Sequence, residues 1–262
     1  MTDWALILGA SSGFGEATSL ELARQGINIV GVHLDRKQTL SNVERITGEI
    51  QKNGRKALFF NINAADEIKR QEVIDAIQQE FSQNPGSRLK ILLHSLAFGT
   101  LKPYIAPIPA ETITKAQMEM TLDVMAHSLV YWVQDLLRKG LLGKGSRIYA
   151  MTSAGGQRVW KTYGAVSAAK AALESHIRQL ALELAPFGVT ANAILAGVTD
   201  TPALRKIPGN EQMIEIATKK NPGGRLTTTQ DIAKAIAVLS HSDTQWMTGN
   251  VIRVDGGECI VE

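Results

Sequence analysis

Short apolar runs alternate with longer amphipathic stretches along the whole chain. The runs are apolar at nearly every position, as strands covered on both faces of a sheet should be, and they span residues 4–9, 27–34, 56–62, 89–97, 146–153, 189–197 and 250–256. Between the runs, apolar residues recur at spacings of three and four, which predicts helices over 13–25, 37–53, 66–82, 112–140, 160–186 and 229–240. This alternation predicts a doubly wound α/β fold with a seven-stranded parallel sheet.

No linker rich in proline, glycine or serine interrupts the alternation, so one domain over residues 1–262 is predicted. Residues 198–228 break the rhythm, because this segment is too long for an ordinary connection and has a short helical pattern at 210–219. Insertions after the carboxyl end of a strand are where open α/β sheets bind ligands. We therefore predict that residues 198–228 form a substrate lid.

Composition narrows the classes of partner. The net charge of +3 is small and its cations are dispersed, so nucleic acid is not a predicted partner. No run approaches the roughly 20 apolar residues that a membrane span requires, and the first apolar run follows no basic leader, so neither a membrane nor a signal peptide is predicted. A single cysteine, Cys259, excludes an internal disulfide framework and fits a reducing cytoplasm. No metal site is predicted.

Three glycines, Gly9, Gly13 and Gly15, lie between the first predicted strand and the first helix. Glycines at such a turn let the backbone approach a pyrophosphate, and the helix N-terminus behind them favours negative charge. The spacing G-x-x-x-G-x-G differs from the commoner G-x-G-x-x-G. At the first strand of a doubly wound sheet, this turn predicts a dinucleotide site.

Tyr163 and Lys170 stand seven residues apart in the helix predicted over 160–186. At 3.6 residues per turn, such a pair lies within roughly 20° of one helix face and about 10 Å apart along the axis. Both side chains are therefore expected to face one cleft. Trp160, just before the tyrosine, and Trp132 are expected in the core or at an interface rather than against a substrate.

The glycine turn GASSGFG (9–15) and the segment VIRVDGG (251–257) resemble the short-chain dehydrogenase/reductase family, and the resemblance covers essentially the whole chain. It implies a Rossmann-type domain that binds a nicotinamide dinucleotide. Matched residue by residue, it implies cofactor contacts from Gly9, Ser11, Ser12, Gly13, Phe14 and Gly15 in the turn, from His33, Asn61, Ile62, Ser95, Leu96 and Ala97 after the next strands, and from Lys170, Gly197, Val198 and Thr201.

The choice between the two nicotinamide dinucleotides depends on the end of the second strand. An acidic side chain there would bond the ribose 2′-hydroxyl and repel a 2′-phosphate. By alignment the key position is His33, and the cations Arg36 and Lys37 follow it, which favours NADPH. Asp35 stands between them and keeps NADH open, and the two cations also fit the start of a solvated helix.

Most family members carry the tyrosine four residues before the lysine, where this chain has Val166. A tyrosine, six residues and a lysine is the pattern of the bacterial enoyl-acyl-carrier-protein reductases within the family. The segment His94-Ser95-Leu96-Ala97 and the pair Ala196-Gly197 resemble the same group, and Met125 stands where carbonyl-reducing members have an asparagine. Ser153 and the regular glycine turn are features of the general family. A subgroup of the bacterial enoyl reductases combines the regular glycine turn with the six-residue spacing.

The resemblance implies NADPH-dependent reduction of the 2,3-double bond of an enoyl thioester in fatty acid synthesis, the acyl group being carried by acyl-carrier protein or coenzyme A. Tyr163 would bond the thioester oxygen and Lys170 the cofactor ribose, while Ser153 would either bond substrate or cap its strand. The alternatives are reduction of 3-oxoacyl groups or other ketones, and a non-catalytic NADP sensor. The long apolar helices 112–140 and 160–186 predict a homotetramer.

Overall fold

The computed structural model describes residues 2–261, so residues 1 and 262 of the predicted domain lie outside it. Its strands are β1 (Thr2–Leu8), β2 (Asn28–His33), β3 (Ala57–Asn61), β4 (Ser87–His94), β5 (Arg147–Ser153), β6 (Thr190–Ala196) and β7 (Val251–Val254). They form one sheet in the order β3-β2-β1-β4-β5-β6-β7, and every neighbouring pair is parallel. The predicted doubly wound, seven-stranded α/β fold is confirmed.

The helices that cover the sheet are α1 (Gly13–Arg24), α2 (Leu40–Lys52), α3 (Glu67–Gln83), α4 (Lys115–Leu122), α5 (Ser128–Arg138), α6 (Gly164–Leu184), α7 (Asn210–Lys220) and α8 (Thr229–Leu239). Local sequence explains where several of them begin. The Asp66 side chain accepts a hydrogen bond from the Lys69 amide at 3.0 Å and caps α3. Thr228 and Asp231 form a reciprocal capping box at α8.

The sheet separates two apolar cores, and β1 shows how alternation divides them. Trp4, Leu6 and Leu8 face one core, whereas Ala5 and Ile7 face the other, and all five are fully buried. Because both faces are covered, the strand has no polar side for solvent. This is why the strands are nearly continuous apolar runs in the sequence.

Two predicted helices differ from the observed ones. The helix predicted over 112–140 consists of α4, a π-helical turn at Asp123–His127, and α5. The helix predicted over 160–186 begins only at Gly164, because Thr162 adopts a left-handed backbone conformation with φ +66°. The π-helical turn contains Met125, and the left-handed Thr162 immediately precedes Tyr163. No helix among residues 2–261 has the length and apolarity to cross a bilayer.

The strand order reverses direction between β1 and β4, which are adjacent in the sheet. In an open α/β sheet, the crevice at such a point is where ligands bind, at the carboxyl ends of the strands. The glycine turn follows β1 and the Ser95 segment follows β4, and the Ser95 amide donates to the Leu8 carbonyl at 2.8 Å. The fold thus brings these two predicted cofactor segments together.

Candidate active site

The glycine turn is packed so closely that a side chain fits at neither Gly9 nor Gly15. A Cβ on Gly15 would lie 2.0 Å from the Gly9 carbonyl oxygen, and one on Gly9 would lie 2.4 Å from the Ser95 carbonyl oxygen. Gly9 and Gly13 also have positive φ angles of 93° and 56°. Ser12 precedes α1 without a side-chain capping bond. The turn is therefore a backbone cradle at a helix N-terminus, which suits the phosphates of a dinucleotide.

The end of β2 holds a hydrogen-bonded acidic residue. The Asp35 carboxylate binds the buried His33 ring at 2.9 Å and accepts from the Thr39 hydroxyl at 2.6 Å. Although burial acts to raise the pKa of Asp35, hydrogen bonds from Ser11, Thr39 and His33 lower it below its usual value. Arg36 and Lys37 are exposed, and no ion pair within residues 2–261 involves them.

The Asn61 side chain forms two hydrogen bonds with the backbone of Asp35. Its side-chain oxygen accepts from the Asp35 amide at 2.9 Å, and its side-chain nitrogen donates to the Asp35 carbonyl at 3.0 Å. The next residue, Ile62, donates its amide to the His33 carbonyl at 2.8 Å. Both predicted contact residues therefore tie β3 to the end of β2.

Tyr163 lies immediately before α6 and not within it. Its half-buried ring packs against Gly155, because a Cβ there would lie 2.5 Å from the ring. Burial raises the pKa of the phenol, and the neighbouring Ser153 hydroxyl acts in the opposite direction. The phenol is consequently kept protonated, as a hydrogen-bond donor must be.

Lys170 is buried and directed at the sheet. Its Nζ donates to the Met151 carbonyl of β5 at 2.7 Å. Burial lowers the pKa of Lys170 to about 8, and the nearby Glu174 carboxylate partly opposes this shift. Glu174 itself accepts from the Thr152 hydroxyl at 2.7 Å. Strand β5 thus binds Lys170 through the Met151 carbonyl, and it binds the counter-charge Glu174 through the Thr152 hydroxyl.

The wall beside Tyr163 is apolar. Val124, Met125, Val166 and Ala169 form a buried cluster on which the Tyr163 ring packs. Met125 belongs to the π-helical turn, a feature frequent at functional sites. The turn is fixed from behind, because the Ser128 hydroxyl donates to the Val124 carbonyl at 2.8 Å and binds the His94 ring at 2.9 Å.

A cavity of about 510 Å³ joins the segments around Tyr163 and Lys170, whereas His33, Arg36, Lys37, Asn61 and Ile62 lie outside its walls. Its walls include Phe14, Ser95, Leu96, Ala97, Met125, Ser153, Tyr163, Val166, Lys170, Gly197, Val198 and Thr201. The predicted lid (residues 198–228) closes the other side with Leu204, Ile207, Met213, Ile216, Ala217 and Lys220. The structure therefore brings the three predicted catalytic residues and the nicotinamide-end cofactor residues to one cavity.

A family model described as enoyl-(acyl carrier protein) reductase matches residues 9–258, nearly the whole chain. The chain belongs to the short-chain dehydrogenase/reductase family. It is 29% identical to 1-cyclohexenylcarbonyl-CoA reductase from Streptomyces collinus, a match covering 98% of this chain and 87% of that protein. It is 30% identical to the enoyl-acyl-carrier-protein reductase (NADH) FabI from Aquifex aeolicus (strain VF5), over 73% of this chain and 69% of that one.

The solved structure of the Aquifex aeolicus VF5 enoyl-acyl-carrier-protein reductase (NADH) shares the fold. It has a TM-score of 0.82 at 24% identity and covers 99% of this chain and 97% of that one. Short-chain dehydrogenases/reductases are oxidoreductases that bind NAD(P)H. The backbone cradle at Gly9–Gly15 fits the phosphates of such a cofactor, since any side chain at Gly9 or Gly15 would collide with backbone there.

Two residues line the cavity of this short-chain dehydrogenase/reductase although the sequence analysis did not place them there. Glu258 follows the VDGG motif directly, is buried in the cavity wall, and accepts a hydrogen bond from the Val198 amide at 2.8 Å. Burial raises the pKa of Glu258. Trp160 lines the cavity and donates its indole N–H to the Pro208 carbonyl at 3.0 Å. Trp160 is only partly buried, so it does not belong to the core, whereas Trp132 is fully buried as expected.

In the part of the chain that the structure describes, neither the thiol of Cys259 nor the acidic side chains form a reactive or metal-binding centre. Burial raises the pKa of Cys259 to about 11, and the adjacent Asp255 carboxylate adds to the shift, so this thiol is a poor nucleophile. Within residues 2–261, no three histidine, cysteine or acidic side chains converge to hold a metal ion.

Proposed function

We propose that this short-chain dehydrogenase/reductase reduces the 2,3-double bond of an enoyl thioester with NADPH. The observation that carries the proposal is the wall around Tyr163. At the place where carbonyl-reducing members have their tyrosine, this chain has the buried Val166, and Met125 beside it is equally apolar. Neither side chain donates a proton. Tyr163 then stands as the donor on this wall, seven residues before Lys170.

The reaction needs a hydrogen-bond donor that stabilises the negative charge developing on the thioester oxygen. When bound, NADPH supplies a hydride to the β-carbon of the enoyl group. The electrons of the double bond then move toward the thioester carbonyl and give an enolate. The protonated Tyr163 phenol is suited to donate a hydrogen bond to this oxygen, a contribution of about 3–4 kcal/mol. Transfer of a proton to the α-carbon, from Tyr163 or from water, completes the reduction.

Lys170 is proposed to hold the cofactor ribose. Its Nζ is fixed on the Met151 carbonyl, and Glu174 compensates part of the cost of burying the charge. Two donors of the ammonium group stay available for ribose hydroxyls. With a pKa of about 8, the lysine is protonated at neutral pH and retains these donors. Ser153 adjoins the phenol, where it either bonds substrate or caps β5.

The preference for NADPH rests on the far end of the cleft. The exposed Arg36 and Lys37 have no described counter-charge, whereas both Asp35 oxygens have hydrogen-bond partners already. A 2′-phosphate is matched by the two cations, and the engaged carboxylate is a weaker partner for a 2′-hydroxyl. NADH remains the alternative cofactor.

The acyl carrier and the setting follow from the same proposal. Arg158, Lys206 and Lys220 border a mostly apolar cavity, which suits an acyl chain attached to the phosphate-bearing arm of acyl-carrier protein or coenzyme A. We propose fatty acid synthesis in the cytoplasm as the context. The exposed Tyr131 on α5 and Leu182 on α6 support a homotetramer, which sedimentation at micromolar concentration would test.

The alternative function is reduction of a 3-oxoacyl group or another ketone. Ser153 beside Tyr163 favours it, because a serine–tyrosine pair can polarise a carbonyl. A non-catalytic NADP sensor is the weaker alternative, since it would require neither Tyr163 nor Lys170.

A thioester panel separates these functions. Oxidation of NADPH and NADH is followed with crotonyl and acetoacetyl thioesters of coenzyme A and acyl-carrier protein. The proposal expects turnover with crotonyl substrates and little with acetoacetyl substrates. Turnover confined to acetoacetyl substrates would establish the ketone reductase, and cofactor binding without turnover of any substrate would favour the sensor.

A further inference from the structure

A tight reverse turn over residues 160–163 ends at the proposed catalytic phenol. The Tyr163 amide donates to the Trp160 carbonyl at 3.1 Å and closes the turn. Thr162 lies at the third position with φ +66°, a conformation that suits glycine and is rare for a β-branched residue. Its hydroxyl donates to the Lys161 carbonyl at 2.6 Å. The surrounding structure must therefore hold this turn in place.

The other end of the same turn is attached to the predicted lid. The Trp160 indole donates to the Pro208 carbonyl at 3.0 Å. Its ring lies against Gly209, because a Cβ built there would be 3.4 Å from the ring carbon Cζ2. Gly209 has φ +79° and immediately precedes α7, the helix of the lid. Position 209 thus lets the chain pass close to the indole and enter the helix.

We propose that Trp160 is a positioning residue that couples closure of the lid to placement of the Tyr163 phenol. The inference deepens the proposed function and rests on it. The indole joins the lid through its side chain, and the tyrosine follows three residues later, at the end of the strained turn. When the lid closes over an acyl chain, the indole contact with Pro208 and Gly209 holds the turn. When the lid opens, the turn loses that support.

The first test measures lid closure without using activity. Arg205, Lys206 and Lys219 are exposed tryptic sites within the lid. Trp160→Phe keeps an aromatic ring against Gly209 and removes the N–H donor. Tryptic cleavage at these sites, identified by mass spectrometry, is expected to accelerate about fivefold, the equilibrium factor of one net hydrogen bond. Trp246→Phe is the matched control, because Trp246 is 97% exposed and should leave the cleavage rate unchanged.

The second test asks whether the turn transmits lid position to the phenol. With crotonyl thioester, Trp160→Phe is expected to raise KM for the thioester and to lower kcat several-fold, while KM for NADPH stays the same. A role confined to the lid would change the thioester KM alone. Unchanged kcat with faster cleavage would therefore overturn the coupling.

A second variant covers failure of Trp160→Phe to fold. Gly209→Ala adds a methyl group against the indole at a left-handed position, and it should accelerate cleavage of the lid in the same way. If the rate of tryptic cleavage is unchanged in every variant that folds, the proposal that Trp160 holds the lid is overturned. If no enoyl thioester is reduced by the wild type, the proposed function fails, whereas the proteolysis result still decides whether Trp160 holds the lid.

Discussion

The two ends of the cleft differ in whether backbone or side chains determine their shape. At the adenosine end, close backbone contacts shape the glycine turn, as at Gly9 and Gly15, and the charged side chains Arg36 and Lys37 are exposed. At the reaction end, buried side chains set the shape and their pKa values are displaced, as for Tyr163 and Lys170. Left-handed backbone occurs at both ends, at Gly9 in the first and at Thr162 in the second.

This difference teaches where substitutions act. Backbone in the glycine turn has no room to move, so an added atom there should damage binding of any dinucleotide. A buried hydroxyl or ammonium group can be removed with little change of shape, so its loss should change chemistry or pH dependence more than fold. The following predictions, from the largest expected effect to the smallest, test that division.

Tyr163→Phe should give the largest effect, confined to the reaction end. It should lower kcat for crotonyl thioester by about 10²–10³, the range for one lost oxyanion donor. The dissociation constant of NADPH, measured by fluorescence titration, should hardly change. Adding Val166→Tyr to this variant should not restore turnover, because the new hydroxyl lies one helical turn away. Near-normal turnover in either enzyme would refute the assignment of Tyr163.

Gly15→Ala should damage the adenosine end. The new Cβ would lie 2.0 Å from the Gly9 carbonyl oxygen, so backbone must shift. Affinity for both NADPH and NADH should fall by about a hundredfold, a loss of roughly 2.8 kcal/mol. Gly48→Ala in α2 is the control, since its Cβ meets no atom within 4 Å, and it should stabilise the fold by about 0.5–1 kcal/mol. Unaltered cofactor binding by Gly15→Ala would contradict the cradle.

Lys170→Met should remove a pH dependence of stability from the cofactor-free protein. The folded pKa of about 8 lies below the ordinary value of 10.5, so between these pH values the unfolded chain binds more protons. Wild-type stability should therefore gain about 2 kcal/mol from this group as pH rises from 7.5 to 10, and the variant should lack that gain. Urea unfolding of both proteins at each pH measures the difference. The same comparison with the exposed Lys52→Met should show none.

The double change Arg36→Ala and Lys37→Ala should have the smallest and most selective effect. If both cations contact the 2′-phosphate, KM for NADPH should rise about tenfold, corresponding to roughly 1.4 kcal/mol, while KM for NADH stays nearly constant. Lys52→Ala with Lys56→Ala, which removes two cations between the end of α2 and the start of β3, controls for net charge. Equal losses for both cofactors would sink the NADPH assignment.

Some features of the site were predictable because they depend on local pattern. The glycine spacing predicted a phosphate turn, and the seven-residue spacing predicted that Tyr163 and Lys170 reach one cleft, which they do. The helix assumed for that argument was too long, since Tyr163 precedes α6. Its geometry nevertheless sufficed, because a residue just before a helix lies close to the continuation of the same face.

Other features depend on contacts between distant segments. Glu258 lines the cavity because the segment after β7 returns to the Val198 amide. Trp160 contacts the lid because Pro208 passes beside its indole. The π-helical turn is likewise fixed by His94, 34 residues away from its partner Ser128. No local spacing carries this information.

The sequence by itself determined the order of strands and helices, the parallel sheet and the place of the phosphate turn. These follow from hydrophobic period and from glycine, which act over a few residues. Tertiary structure decided the protonation and precise use of the site: a lysine with a lowered pKa on the Met151 carbonyl, a strained turn before Tyr163, and an apolar wall at Met125 and Val166. The reason is that burial and charge compensation arise between segments that meet only when the chain has folded.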